Sequence, residues 1–176
     1  ILLRLPDIGN PLLDLDEQFY LLVGDRMLHG AIPYVDIWDR KPIGLFLIYA
    51  AARVPGGDPF VGYQVAATLT LIATAGLVAT LARRVVGAWA GAWAGIGAGL
   101  VLLLWSEFLG GRGGQSPLFY DALMAGAALI IWLVISGRMA VWRGGLVAML
   151  LCGLSLQIKP TTLFEGGWLG IALLVT

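Results

Sequence analysis

The chain is expected to be all-α: a polytopic bundle of transmembrane helices with amphipathic juxtamembrane helices in a first external loop. Composition is the first ground, with 59% hydrophobic residues, 12% charged residues and a mean hydropathy of +0.87, against about 25% charged residues in an ordinary soluble domain. The second is length, because several apolar runs approach the ~20 residues that cross a bilayer as a helix. The third is the contrasting stretch DLDEQFYLLVGDRMLHGAIPYVDIWDRKP at 14–42, rich in ionisable groups beside a membrane-type chain.

The segment 1–59 is expected to form an external loop with interfacial helices, and 60–176 a set of membrane helices cut short. The opening Ile1–Leu3 suits the tail of an upstream membrane helix, and the whole protein is expected to be considerably longer. From Asp16 to His29, helical spacing places Phe19, Tyr20, Val23 and Met27 on one side. Gln18, Asp25, Arg26 and His29 fall largely on the other. The run Ile43–Val54 is too short to cross and suits an interfacial or re-entrant helix. Phe60–Ala82, Val86–Leu109 and Leu118–Ser136 are long enough to span. Gly144–Ile158 becomes so only by continuing through Lys159 and Pro160, and Thr161–Thr176 begins a further span.

Arg83, Arg84, Arg138 and Arg143 mark the cytoplasmic side by the positive-inside rule. The loop 4–59, the link 112–117 and the turn 159–165 are then external. Arg4, Arg26, Arg40, Lys41, Arg53 and Arg112 break the rule, as a polar site next to the bilayer requires. Gly87, Gly91, Gly95 and Gly99 recur every fourth residue and form a groove for a neighbouring helix, with Trp89 and Trp93 on the same ridge.

The composition also excludes. With 11 basic and 11 acidic residues there is no cationic footprint for nucleic acid. Neither a dinucleotide fingerprint nor a phosphate-binding P-loop motif occurs. Cys152 is the only cysteine, so no internal disulfide forms. A lone His29 does not establish a metal site, so a divalent cation stays open, and the Asp14-Leu15-Asp16 string lacks the soluble α/β surroundings in which such a pair holds a metal for nucleotide-sugar chemistry.

Two readings stand open at the acid pair. Asp14 with Glu17 three residues later has the form of a capping box, and acids suit a helix start; alternatively Asp16 and Glu17 do chemistry. Two also stand open at Asp39-Arg40-Lys41-Pro42. Pro42 suits the first helical position and extends Lys41 beside unpaired N–H groups, a corner for an anion such as phosphate. Otherwise Lys41 merely snorkels beside Trp38. Asp121 and Lys159 fall near the same external face, with Glu107, Arg112, Tyr120 and Glu165 in the same layer.

In its ordered motifs the chain resembles the GT-C superfamily of integral-membrane glycosyltransferases, the group of protein O-mannosyltransferases and lipid A aminoarabinose transferases. Asp16-Glu17 before an aromatic amphipathic stretch is similar to that family's first-loop acidic motif. Asp39-Arg40-Lys41-Pro42-Ile43 is similar to its lysine- or histidine-proline motif, Ala82-Arg83-Arg84 closes a span, and GLSLQIKPTT at 153–162 resembles its glycine-rich helix ending in a lysine. The resemblance makes 1–176 the N-terminal part of one membrane glycosyltransferase domain, inactive alone. It implies inverting transfer of a sugar from a polyprenyl-phosphate donor to a lipid, glycan or protein acceptor, on the external face of a bacterial inner membrane. By the same resemblance Asp16 is the base and Glu17 its helper. Lys41, Arg40, Lys159 and Arg112 are candidates for the donor phosphate, Asp39, Tyr120 and Asp121 are further site candidates, and some relatives use a divalent cation. The rival classes are a solute or ion transporter working through Asp121 and Lys159, and a non-catalytic membrane scaffold assembled on the glycine ridge.

Overall fold

The computed structural model describes residues 2–108 and 112–176, without the side chains of Leu2, Leu3, Ala88 and Glu107. Leu109, where one expected span ends, and the Glu107 side chain lie outside that description. The described residues are helical and contain no strand, only one isolated bridge between Pro33 and Ile37. A short 3₁₀-helix at Leu2–Asp7 precedes seven α-helices: α1 Leu15–Leu28, α2 Ile43–Arg53, α3 Pro59–Val86, α4 Ala88–Phe108, α5 Ser116–Ile135, α6 Val141–Leu156 and α7 Thr162–Leu174. Three of them, α3, α4 and α5, are long and apolar enough to cross a membrane.

Local chemistry sets the boundaries. Asp58 caps α3 by accepting from the N–H groups of Phe60 and Val61 at 2.8 and 3.2 Å. Pro59 then opens the helix where its missing N–H costs nothing. The helix runs past the expected Ala82 to Val86 and stops at Gly87, whose φ of 97° is open to glycine. Pro117 similarly lies in the first turn of α5. By contrast α6 stops at Leu156 and does not continue through Lys159, so it has 16 residues. The cause is Pro160, whose ring clashes with the carbonyl four residues back, that of Leu156. The chain turns there and re-enters a helix at Thr162.

The glycine ridge is used within the chain. A Cβ on Gly91 or Gly95 would strike α3, the first at the Arg83 backbone and the second at the Ala79 carbonyl and the Arg83 stem; one on Gly99 would lie 3.5 Å from the Ala75 carbonyl oxygen. Gly87 is not part of that ridge, being the turn itself. Nor are Trp89 and Trp93, which are 87% and 72% exposed. Two residues of separation is about 200° around a helix, so Trp89 and Gly91 face opposite ways.

The main core lies at the start of the bundle. There Tyr20 and Val23 of α1 meet Leu45, Phe46 and Tyr49 of α2, Tyr63 and Ala67 of α3, Leu118 and Phe119 of α5, and Ile158. Tyr20, Val23 and Met27 pack on this core as the periodicity predicts. A second, smaller-residue core of Ala127, Ile131, Ala148 and Cys152 joins α5 to α6. Large apolar side chains elsewhere on α3 to α7 stay exposed, Leu69, Trp105, Leu150 and Trp168 among them, as suits helices whose solvent is lipid.

Candidate functional site

The first element of the site is centred on Tyr20. Asp14 is the N-cap of α1, accepting from the Asp16 N–H at 2.8 Å, which leaves the exposed Asp16 carboxylate free of capping duty. One turn later the buried Tyr20 donates its hydroxyl to Asp16 Oδ2 at 3.2 Å. The ring is fixed from below by Phe46 and by an edge-on contact to Tyr49, centroids 6.2 and 5.6 Å away. Lys41 Nζ lies over the same ring, 5.5 Å from its centroid. Thus two residues 25 positions apart converge on one phenol. Burial, and then the Asp16 charge, push the Tyr20 hydroxyl above its ordinary pKa of 10, so it remains a proton donor to the carboxylate.

The segment that carries Lys41 is pinned by its own polar groups. Asp39 Oδ1 accepts from the N–H groups of Arg40 and of Lys41, the latter at 3.2 Å, and the Tyr34 hydroxyl donates to the Lys41 carbonyl at 2.8 Å. Pro42 is the N-cap of α2, with ψ of 155°, one position earlier than expected. The Arg40 side chain is exposed.

Glu17 faces elsewhere. It is 1% exposed, and neither carboxylate oxygen makes a geometrically sound hydrogen bond. The capping box is therefore half built: Asp14 caps, while Glu17 turns into the core. Gly113 packs against its carboxyl so closely that a Cβ there would collide with it. The Gly114 N–H, the Tyr63 hydroxyl and the Arg4 guanidinium act on it favourably, but burial outweighs them and raises its pKa above 4.5.

Around Glu17 the N-terminal 3₁₀-helix is clasped to the link before α5. Buried Arg4 donates to the carbonyls of Arg112 and Gly113, the first at 3.0 Å. Arg112 grips Asp7 with two bonds of 2.8 and 2.7 Å, and the Tyr49 hydroxyl donates to the Gly114 carbonyl at 2.9 Å. A cavity of about 360 Å³ opens here, lined by Asp7, Asn10, Asp14, Glu17 and Arg112 among others. Arg112 accordingly stands on the Glu17 side of α1, engaged by Asp7.

The third element gathers Tyr120, Asp121, Lys159 and Glu165. Lys159 Nζ lies 5.7 Å from the Tyr120 ring centroid, and Asp121 lies within electrostatic reach of Lys159 and Glu165. Tyr120 and Ile158 pack on the same core as Tyr20, so the structure gathers all three elements around one end of the bundle. Among the described residues no group of three or more His, Cys, Asp and Glu is close enough to hold a metal ion. His29 is exposed, and its ring meets Asp25, one turn back on the same helix. Nothing in this donor set fits a divalent cation.

Sequence reasoning missed the inward turn of Glu17 and the roles of Asp7, Tyr49 and Tyr63. Arg112, which grips Asp7, and Gly113 and Gly114, which meet Glu17, lie about a hundred positions away, and no local pattern announces them. No family model, no curated protein and no solved structure matches the chain.

Proposed function

We propose that the chain forms the donor-phosphate and acceptor-activating part of a membrane glycosyltransferase of the GT-C kind, using a polyprenyl-phosphate sugar. The observation that carries this reading is the meeting of Asp16 and Lys41 on Tyr20, a carboxylate and an ammonium held by one rigid side chain at the end of an apolar bundle. Asp16 takes the proton of the acceptor hydroxyl as its oxygen attacks the anomeric carbon. The bond from that carbon to the phosphate oxygen breaks on the opposite face, with inversion, and polyprenyl phosphate leaves. Lys41 offsets the charge that builds on this phosphate, an effect strengthened beside low-dielectric lipid. Lys159, Arg40 and Arg112 are the further cations at this end. Arg112 needs Asp7 to release it, which ranks it last.

The same reading makes the chain multi-pass in a bacterial inner membrane, with the Tyr20 end external. Arg84 and Arg138 support that orientation by sharing the Trp132 ring at the other end, about 32 Å along α3 from Tyr63 at 1.5 Å per residue. A carrier using Asp121 and Lys159 is the second reading, favoured by the Asp121–Lys159–Glu165 cluster. Its charges stand near helix ends, however, whereas carriers bind near the midplane. The scaffold reading loses its motive, since α3 already fills the glycine ridge.

Two measurements test the proposal. Full-length protein in lipid, given a panel of polyprenyl-phosphate sugars, is expected to release polyprenyl phosphate in an Asp16-dependent way; ion- or solute-coupled flux without release would favour the carrier. Cysteines introduced one at a time at positions 16 and 84, in a Cys152→Ser background, are expected to react with impermeant reagent from opposite sides. Reaction from the same side sinks the orientation.

A further inference from the structure

The eleven acidic residues of the chain are Asp7, Asp14, Asp16, Glu17, Asp25, Asp36, Asp39, Asp58, Glu107, Asp121 and Glu165. By chain position all belong to the end of the bundle where α3 begins. The other end, where α3 and α5 finish and α4 and α6 begin, has Arg83, Arg84, Arg138 and Arg143 and no acid. Among the described residues none of these four arginines forms an ion pair. Rings hold three of them: Arg84 and Arg138 lie 5.6 and 5.0 Å from the Trp132 centroid, and Arg143 lies 5.0 Å from that of Trp142. Such contacts fix where a guanidinium sits but supply no counter-charge.

Between the end of α3 and the start of α4 is a cavity of about 240 Å³ lined by Thr80, Arg83, Arg84 and Gly87. The Arg83 stem lies against Gly95, which directs its head to this corner. The first turn of α4 opens at the same corner, adding unpaired N–H groups and the positive end of its dipole. Val85, Val86 and Trp89, next to Gly87 in sequence, are exposed. It ends helices long and apolar enough to cross a membrane.

We infer that this corner binds the headgroup of an anionic phospholipid. Two guanidinium groups match phosphate oxygens in geometry as well as charge, and basic recesses between membrane helices are suited to such headgroups. The apolar exteriors of α3 and α4 favour the lipid over a free anion, because acyl chains can lie along them while the phosphate occupies the cavity. None of Asp16, Tyr20 and Lys41 enters this inference, which stands or falls apart from the transferase.

The test uses the full-length protein in nanodiscs of phosphatidylcholine doped with phosphatidylglycerol, with retained lipids counted by native mass spectrometry. Wild type is expected to prefer phosphatidylglycerol, by about fivefold for each arginine engaged. Arg83→Gln and Arg84→Gln keep most of the apolar stem and should each lose about that factor, Arg84→Lys should keep much of the preference, and Arg26→Gln at the opposite end should change nothing. An undiminished preference in the Arg83→Gln/Arg84→Gln double variant overturns the site, as does an equal loss in Arg26→Gln. Displacement of the lipid by millimolar inorganic phosphate identifies a small-anion site and overturns the lipid assignment. Should the double variant fail to fold, the single variants carry the test, and an undiminished preference in both Arg83→Gln and Arg84→Gln overturns the site.

Discussion

The two ends of α3 solve opposite electrostatic problems. At the Pro59 end, acids and bases interleave, and most are located by a specific partner: Asp16 by Tyr20, Lys41 by the same ring, Asp7 by Arg112. At the Val86 end, charge of one sign accumulates and is held by Trp132, with no acid in reach. A mixed-charge end can hold a carboxylate and an ammonium against one side chain, as Tyr20 does with Asp16 and Lys41, and so offer both a base and a positive charge. An end of single sign can attract and orient an anion, but it has no base. The proposed chemistry therefore falls at the first end and the proposed lipid binding at the second.

The sharpest way to break this comparison is Asp16→Asn. Because Asp14 is the cap, the substitution costs no capping bond, and the Tyr20 hydroxyl still has an oxygen to meet. On the proposed function, sugar transfer by the full-length protein is expected to fall by roughly 10² to 10⁴-fold, with unfolding unchanged. Arg84→Gln should leave turnover intact in the same assay, and equal losses at both ends would end the division of labour.

Lys41→Met comes next. It keeps the stem over Tyr20 and removes the ammonium, so polyprenyl phosphate is expected to bind about tenfold or more weakly, the scale of one charge-assisted hydrogen bond. Equal binding at matched ionic strength would return Lys41 to a solvated interfacial lysine.

The α3–α4 seam sharpens the comparison by testing what holds the ends apart. Gly95→Val should destabilise by about 1–3 kcal/mol through overpacking against Ala79 and Arg83. Gly97→Val, with nothing within 4 Å, should be near neutral or slightly stabilising, because valine is a better helix former than glycine. Thermal unfolding in detergent reads both.

The smallest expected effect is at Glu17. Burial raises its pKa above 4.5, so the folded protein holds this proton to higher pH than the unfolded chain does. Stability then falls as pH rises from 4.5 through the raised folded value, and stays lowered above it. Glu17→Gln removes that dependence and should raise stability at neutral pH, as a pH series of melting curves on variant and wild type would show. A loss of stability in Glu17→Gln would mean that the carboxylate is ionised and paired.

Much of the helical plan was legible because it rests on local rules. The apolar face through Tyr20, Val23 and Met27 follows from a 3.6-residue period, and the packing of Gly91, Gly95 and Gly99 from their spacing. The arrest of α6 was equally local, since Pro160 acts on Leu156, but the requirement for membrane-spanning length argued against it. The site was legible only in part. Asp16 and Lys41 could be singled out as residue types in suggestive settings, whereas their meeting on Tyr20 depends on how α1 packs against α2. Glu17 escaped for a geometric reason: one step along a helix turns about 100°, enough to separate an exposed carboxylate from a buried one.

The clasp between Arg4, Asp7 and the link at 112–114 also sets a clock. During synthesis Arg4 cannot reach the carbonyl of Arg112, nor Asp7 its guanidinium, until 108 more residues have followed Arg4 out of the ribosome. At about 5–20 residues per second that is a wait of roughly 5 to 20 s, through which Arg4 and Asp7 lack these partners while α3 and α4 are made. The chamber around Glu17 is thus among the last parts of this region to close, and a nascent chain released before Arg112 can build the α1–α2 platform but not its far wall.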